Sequence, residues 1–421
     1  MTVNIFVENV SCTISHLQDR NSTMRIACIL SLLSATSAYY PGETKMQRLS
    51  AVTTDFSQIL HQKLLLLGVN SVFSGPSIHS GLSIMALGAG GTTLKEMYDA
   101  AQLTRFTGGK YKPHQAYSNV FQGYKNNTVA ANVTYATYIS VNSKTPVVKM
   151  FNDSASSYYL SQVVYHNLAD PLGPEQKIND YFKIKTAGRI QDIVKSGTID
   201  SSTQIVLVSA FHISTPWLEP FDQTKTKKDS FTPTQGPQIQ LDMMIGNYRE
   251  VKYIRNFHDA DVVALPFKGR RHSLIVLLPR RRSTMAVQEK SLTEPRRVKE
   301  LFQSLDEEET VNAYISMPKF QIQSTYDLSS VLQSMGMVES FDPEKADFTA
   351  LSKTGAAYLS KHIHKVVFGV DEAGAAAAPV AAPRSSSFPG YPLIQLNRPF
   401  IMLLRDNLRN IIALQGKFCG K

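Results

Sequence analysis

The run Val370-Asp371-Glu372-Ala373-Gly374-Ala375-Ala376-Ala377-Ala378-Pro379 constrains this chain more than any other stretch. Before it, residues 361–370 are β-branched and apolar enough for a strand. After it come Ser, Pro, Gly and Arg up to Pro392, and then residues 393–405 and 410–417, which read as two buried strands. Small side chains carry little packing energy and little rotamer entropy, so such a segment exchanges one environment for another at low cost. Two readings follow. One is a flexible linker between a penultimate and a last element; the other is a hinge feeding an exposed loop from about Gly374 to Pro392.

Compartment is read from the other end. Met24-Arg25 precedes the apolar run Ile26-Ala27-Cys28-Ile29-Leu30-Ser31-Leu32-Leu33 and the small-residue exit Thr36-Ser37-Ala38. That pattern is a secretory signal peptide over residues 24–38, with 1–23 an upstream extension or an alternative leader and 39–421 a single domain; the alternative to the signal peptide is a short amphipathic helix. Cleavage removes Cys12 and Cys28 and leaves Cys419 without an intramolecular partner. The sequons at Asn126, Asn132 and Asn152 are glycosylation candidates and agree with secretion. Beyond the leader no apolar run is long enough to span a bilayer, so the expected product is a secreted, extracellular monomer with no membrane contact.

The net charge of +10 favours partners with negative fields. Its densest group, Arg280-Arg281-Arg282, closes the strand-like run from His272 to Pro279, and reads either as a site for a polyanion such as a glycosaminoglycan or as a solvated basic loop. The aromatic interleaving that supports nucleic-acid stacking is absent, so nucleic acid is not an expected partner. Catalytic patterns fail in turn. The ten His are too dispersed for a metal cluster, and there is neither a Gly-x-Ser-x-Gly elbow nor a His-Glu-x-x-His helix. His362 and His364 would share one strand face, but a third ligand at suitable spacing is missing, and structural histidines under a sheet are the simpler reading. No metal, cofactor or enzymatic activity is expected.

Taken in order, residues 43 to 417 resemble a serpin. The likeness rests on Asn70-Ser71-Val72-Phe73-Ser74-Gly75-Pro76-Ser77, on residues 204–211 with Trp217, Phe221, Thr224 and Phe231, on Met317-Pro318-Lys319-Phe320, and on the alanine run with its closing strands. It implies an α+β fold of three β-sheets, about eight to nine helices and an exposed C-terminal reactive loop. It also implies inhibition of a serine endopeptidase: the protease cleaves the loop, and the hinge enters the large sheet before the acyl-enzyme is hydrolysed.

Carried over by motif, Glu372, Gly374, Ala375, Ala376, Ala377, Ala378 and Pro379 form the hinge. Trp217, Lys319 and Glu372 form the breach at the sheet top, and Asn70, Ser74, Ser77, Ser209 and His364 form the shutter below it. Family spacing from both sides points to Phe388 as the residue before the scissile bond, with Ser387-Phe388 one bond earlier and Arg384 too near the hinge, so chymotrypsin- or elastase-like proteases are the expected targets. Three departures argue for a non-inhibitory carrier, ligand or decoy instead. Pro389 follows Phe388. Pro379 and Pro383 each delete a backbone donor from a strand that must insert. In the shutter, Gly75 stands where serpins usually have Pro, and Ser209 where they usually have Asn.

Overall fold

Leu49, Val52, Phe56 and Leu60 recur at helical spacing, and Thr44 and Gln47 cap one another's backbone donors, so the first helix, α1, runs Lys45–Lys63. In the computed structural model the described residues are 44–64, 69–106, 112–125, 131–170, 173–280, 285–354, 357–378 and 390–420. The leader, Asn126, Arg281, Arg282, Pro379, Pro383, Arg384, Ser387, Phe388 and Pro389 lie outside them.

After β1 (Ser71–Phe73), Ser74 caps α2 (Gly75–Gly88) by accepting from the Ser77 amide, with Pro76 in the first turn. Gly75 has a packing reason: a Cβ there would sit 1.7 Å from Ser57 Oγ of α1. Among the glycines that follow, Gly90 opens a third helix, α3 (Gly91–Ala100). Residues 103–130 are polar and poorly periodic in sequence, yet they contain the 14-residue helix α4 (Lys112–Lys125). Its Tyr117, Val120 and Phe121 are buried in the core, and that tertiary burial offsets a weak local pattern. Helices α5 (Lys149–Tyr159), α6 (Pro174–Lys185), α7 (Met285–Leu292), α8 (Pro295–Glu307) and α9 (Ser329–Ser334) bring the total among the described residues to nine. None of the described helices is long and apolar enough to cross a membrane.

The strands are β2 (Asn132–Asn142), β3 (Gln162–His166), β4 (Ile205–Pro216), β5 (Lys227–Phe231), β6 (Ile239–Phe257), β7 (Ala260–Pro266), β8 (His272–Pro279), β9 (Thr310–Pro318), β10 (Phe320–Asp327), β11 (Leu359–Val370), β12 (Gly374–Ala375), β13 (Leu393–Gln395), β14 (Phe400–Asp406) and β15 (Ile411–Phe418). By hydrogen bonding they make two sheets. One is six-stranded in the order β10-β11-β12-β4-β2-β3, and the other is nine-stranded. The expected second and third sheets are joined in the latter by the long β6, whose first half pairs β5 and β9 and whose second half pairs β7.

The closing region differs from the two strands expected. Residues 393–405 split into β13 and β14 around Asn397-Arg398-Pro399, and β13 is an edge strand with Leu393 61% exposed. Pro399 has no donor for a continuous ladder. A core of Phe211, Trp217, Phe320, Val366, Phe368 and Phe400 fills the space between the two sheets beneath the hinge.

Candidate functional site: hinge, breach and shutter

The hinge does not begin as an exposed loop. Gly374 and Ala375 form the short strand β12, buried between β4 and β11, with Ala375 fully enclosed. The registers are Ala375 opposite Val370 on one side, and Gly374 opposite Pro216 with Ala375 opposite Thr215 on the other. Exposure starts only at Ala376, Ala377 and Ala378, which are half-buried or exposed. The turn that reverses the chain is built locally: Asp371 accepts at one carboxylate oxygen from the amides of Ala373 (2.9 Å) and Gly374 (3.1 Å), and its own amide donates to Gly374 O. Gly374 is required, because its φ is +151° and a Cβ would lie 2.3 Å from Thr215 O.

Around this turn the breach residues converge. Trp217 donates from its indole to Asp371 O (2.8 Å), stacks on Phe267 at 4.5 Å and donates from its amide to Ala373 O. Lys319 donates to Glu372 Oε2 (2.8 Å) and Thr226 donates to Oε1 (2.8 Å), so both carboxylate oxygens are held. Burial opposes ionisation of Glu372, but the Lys319 and Thr226 hydrogen bonds outweigh it and hold the carboxyl below its ordinary range. Thr226 has no motif of its own in the sequence; its place before β5, beside the hinge, is set by the fold.

Lower in the same sheet, β4 and β11 pair directly and in parallel from Ile205 to Phe211 and from Leu359 to Val366, with Ser209 opposite His364. The Ser74 amide donates to His364 Nε2 (3.1 Å), which fixes the other nitrogen, Nδ1, as the protonated one. That Nδ1–H faces Ser209 Oγ at 2.9 Å, and the Ser209 hydroxyl is then free to donate to His362 Nε2 at 3.2 Å. Ser74 Oγ donates to Ala413 O and Ser77 Oγ to Ala210 O, tying α2 to both sheets.

Both imidazoles are fully enclosed and neutral. Burial pushes His364 down to about 3, helped by its neighbour, and burial alone takes His362 to about 3. His362 thus joins the shutter. Its spacing of two from His364 put it on the same face, but nothing in the sequence indicated that Ser209 would bridge them. Among the described residues, no group of three or more His, Cys, Asp or Glu side chains is arranged to hold a metal ion.

One expected shutter residue is elsewhere. Asn70 accepts from the Cys419 amide (2.6 Å) and so holds the C-terminal end of the chain past β15. Cys419 is a buried free thiol. Asn132 opens β2 and is exposed, whereas Asn152 is exposed within α5. Arg280 is only partly exposed and lies 3.7 Å from Asp261.

Serpin B10 of Otolemur garnettii is 29% identical over 84% of this chain and 94% of its own length. Two solved structures share the fold: human thyroxine-binding globulin, at a TM-score of 0.80 and 21% identity over 89% of this chain and 98% of that one, and the thermophilic serpin Tengpin, at 0.79 and 24% over 91% and 96%. The family profile described as serpin, serine protease inhibitor, matches residues 51–420. The chain therefore belongs to the serpin family of protease inhibitors, and is not an enzyme.

Proposed function

We propose that this protein is a secreted inhibitor that traps a chymotrypsin- or elastase-like serine endopeptidase as a covalent acyl-enzyme. The protease supplies the nucleophile and opens a peptide bond near Phe388, by attack after Ser387 or Phe388. The chain supplies free energy, released when the hinge extends down the six-stranded sheet and drags the acylated protease with it. The observation that best supports this is β12: two hinge residues already sit in register between β4 and β11. Incubation of the mature protein with chymotrypsin and with elastase tests it. The expected product is a protease complex that survives boiling in SDS; release of cleaved protein alone, with full protease activity retained, would overturn trapping.

A second reading has specific support. Pro379, Pro383 and Pro389 oppose insertion and cleavage, and thyroxine-binding globulin, similar in fold, is named for binding thyroxine and not for a protease. On that reading the protein is a carrier, ligand or decoy substrate.

Secretion, with glycans on Asn126, Asn132 and Asn152, belongs to the same proposal, as does binding of a polyanion such as a glycosaminoglycan by Arg280, Arg281 and Arg282. Since Arg280 is near Asp261, the loop's contribution is expected to be modest. Replacing all three arginines by alanine should lower the salt concentration at which the protein leaves a heparin column, and unchanged elution would remove this loop from consideration.

A further inference from the structure

Strand β12 stops earlier than the sheet requires. Direct pairing between β4 and β11 ends at Phe211 and Val366, while β12 ends opposite Thr215. Continued in the same register, Ala376, Ala377 and Ala378 would lie opposite Ser214, Ile213 and His212, in a stretch of β4 that β11 does not pair. The chain leaves the ladder at Ala376 instead. Two features coincide at that residue. Its φ is +45°, a left-handed conformation that an L-residue with a Cβ adopts at a cost. Its carbonyl accepts a 2.8 Å hydrogen bond from Ser214 Oγ, a side chain of β4 itself.

We propose that Ser214 and Ala376 form a stop, a side-chain clamp on a strained turn, that halts the hinge after two residues and sets how readily the rest of the loop enters the sheet. This inference rests on the insertion reading given above. Extension of β12 returns Ala376 to ordinary extended backbone, which relieves the strain, and turns its carbonyl into the ladder, which requires the Ser214 bond to break. The strain drives insertion and the clamp resists it. Neither residue touches the protease; both act by positioning the hinge.

The two contributions separate by substitution. Ser214→Ala removes the clamp and leaves the strain, so insertion after the loop is nicked should run about fivefold faster. Ser214→Thr keeps a hydroxyl and should restore the wild-type rate. Ala376→Gly removes the strain, because glycine accepts positive φ freely, and should slow insertion by about tenfold. Trp217 is the single tryptophan and its indole is bonded to Asp371 O, so its fluorescence after stopped-flow nicking by a broad-specificity protease follows the hinge.

Amide hydrogen exchange over residues 372–378 of the intact protein gives an independent reading. It should rise in Ser214→Ala and be unchanged in Ser214→Thr. Unchanged exchange in Ser214→Ala, or equal insertion rates in all variants, overturns the stop. Raised exchange with no spectral response to nicking in any protein, wild type included, removes the insertion reading and the stop with it.

Discussion

Nicking the loop anywhere between Arg384 and Tyr391 is expected to raise the thermal unfolding midpoint by ~10–20 °C. About ten further residues would enter a six-stranded sheet, each ladder bond adding ~1 kcal/mol net, and ~1–2 °C per kcal/mol applies to a domain of this size. The register determines what the prolines do to that gain. Trp217 donates to Ala373 O and Asp371 donates to Gly374 O, so odd-numbered hinge residues turn their backbone groups toward β4 and even-numbered ones toward β11. Extended down the sheet, Pro379 comes opposite Phe211 and Pro383 opposite Leu207, both on the β4 side.

Each proline then leaves a buried carbonyl of β4 without its donor, at ~1–3 kcal/mol apiece. The same register places Ala377 and Ala381 on the inner face already occupied by Ala375, and brings Ala381 opposite Ser209 and His364, where only a small side chain suits the closed shutter. Pro379→Ala with Pro383→Ala should therefore raise the midpoint of the nicked protein further and move the outcome with protease from cleavage toward complex. If neither the wild type nor the double variant gains stability on nicking, the loop stays out of the sheet and the carrier or decoy reading replaces inhibition.

Acid should open the molecule from the shutter. His362 and His364 have folded-state values of about 3, against about 6.5 in an unfolded chain. Between those limits the unfolded state binds more protons, so stability rises with pH. The contribution of each is fully present above pH ~6.5 and is lost progressively as pH falls toward ~3, amounting to about 2 kcal/mol per histidine at pH 5.

The geometry gives the reason. A second proton on His364 would confront the Ser74 amide, and one on His362 would confront the Ser209 hydroxyl. Urea unfolding at pH 7.5 and pH 5 should show this loss, and His362→Gln, which keeps a polar side chain that does not titrate, should flatten the slope by roughly half of the two-histidine contribution. An equal slope in variant and wild type would show that the shutter histidines do not govern the acid limit. His79, His212 and His272, each pushed down to about 4 by burial, add to the background slope without touching the shutter.

Much of the fold was legible from local pattern. The helical spacing of Leu49, Val52, Phe56 and Leu60, the buried run 205–211 and the β-branched run ending at Val370 all became elements where expected, because each is a repeat of apolar residues at one period. The pairing of Lys319 with Glu372 and the cover of Trp217 over the hinge were legible too, through residues carried over by motif. Helix α4 and the break between β13 and β14 were not. The first depends on burial supplied by distant helices, and the second on where an edge strand ends.

The sequence by itself determined that a strand, a run of small residues and closing strands would follow one another, and that the small residues were able to change environment. Only the tertiary structure decided where that change begins. It seats Gly374 and Ala375 in the sheet, turns the chain out at Ala376 under Ser214, sends Asn70 to the C-terminal end of the chain, and adds His362 to the shutter. Composition fixes what a segment costs to move. Register and the hydrogen bonds between strands distant in sequence fix where it stops, and those are known only once β4 and β11 lie side by side.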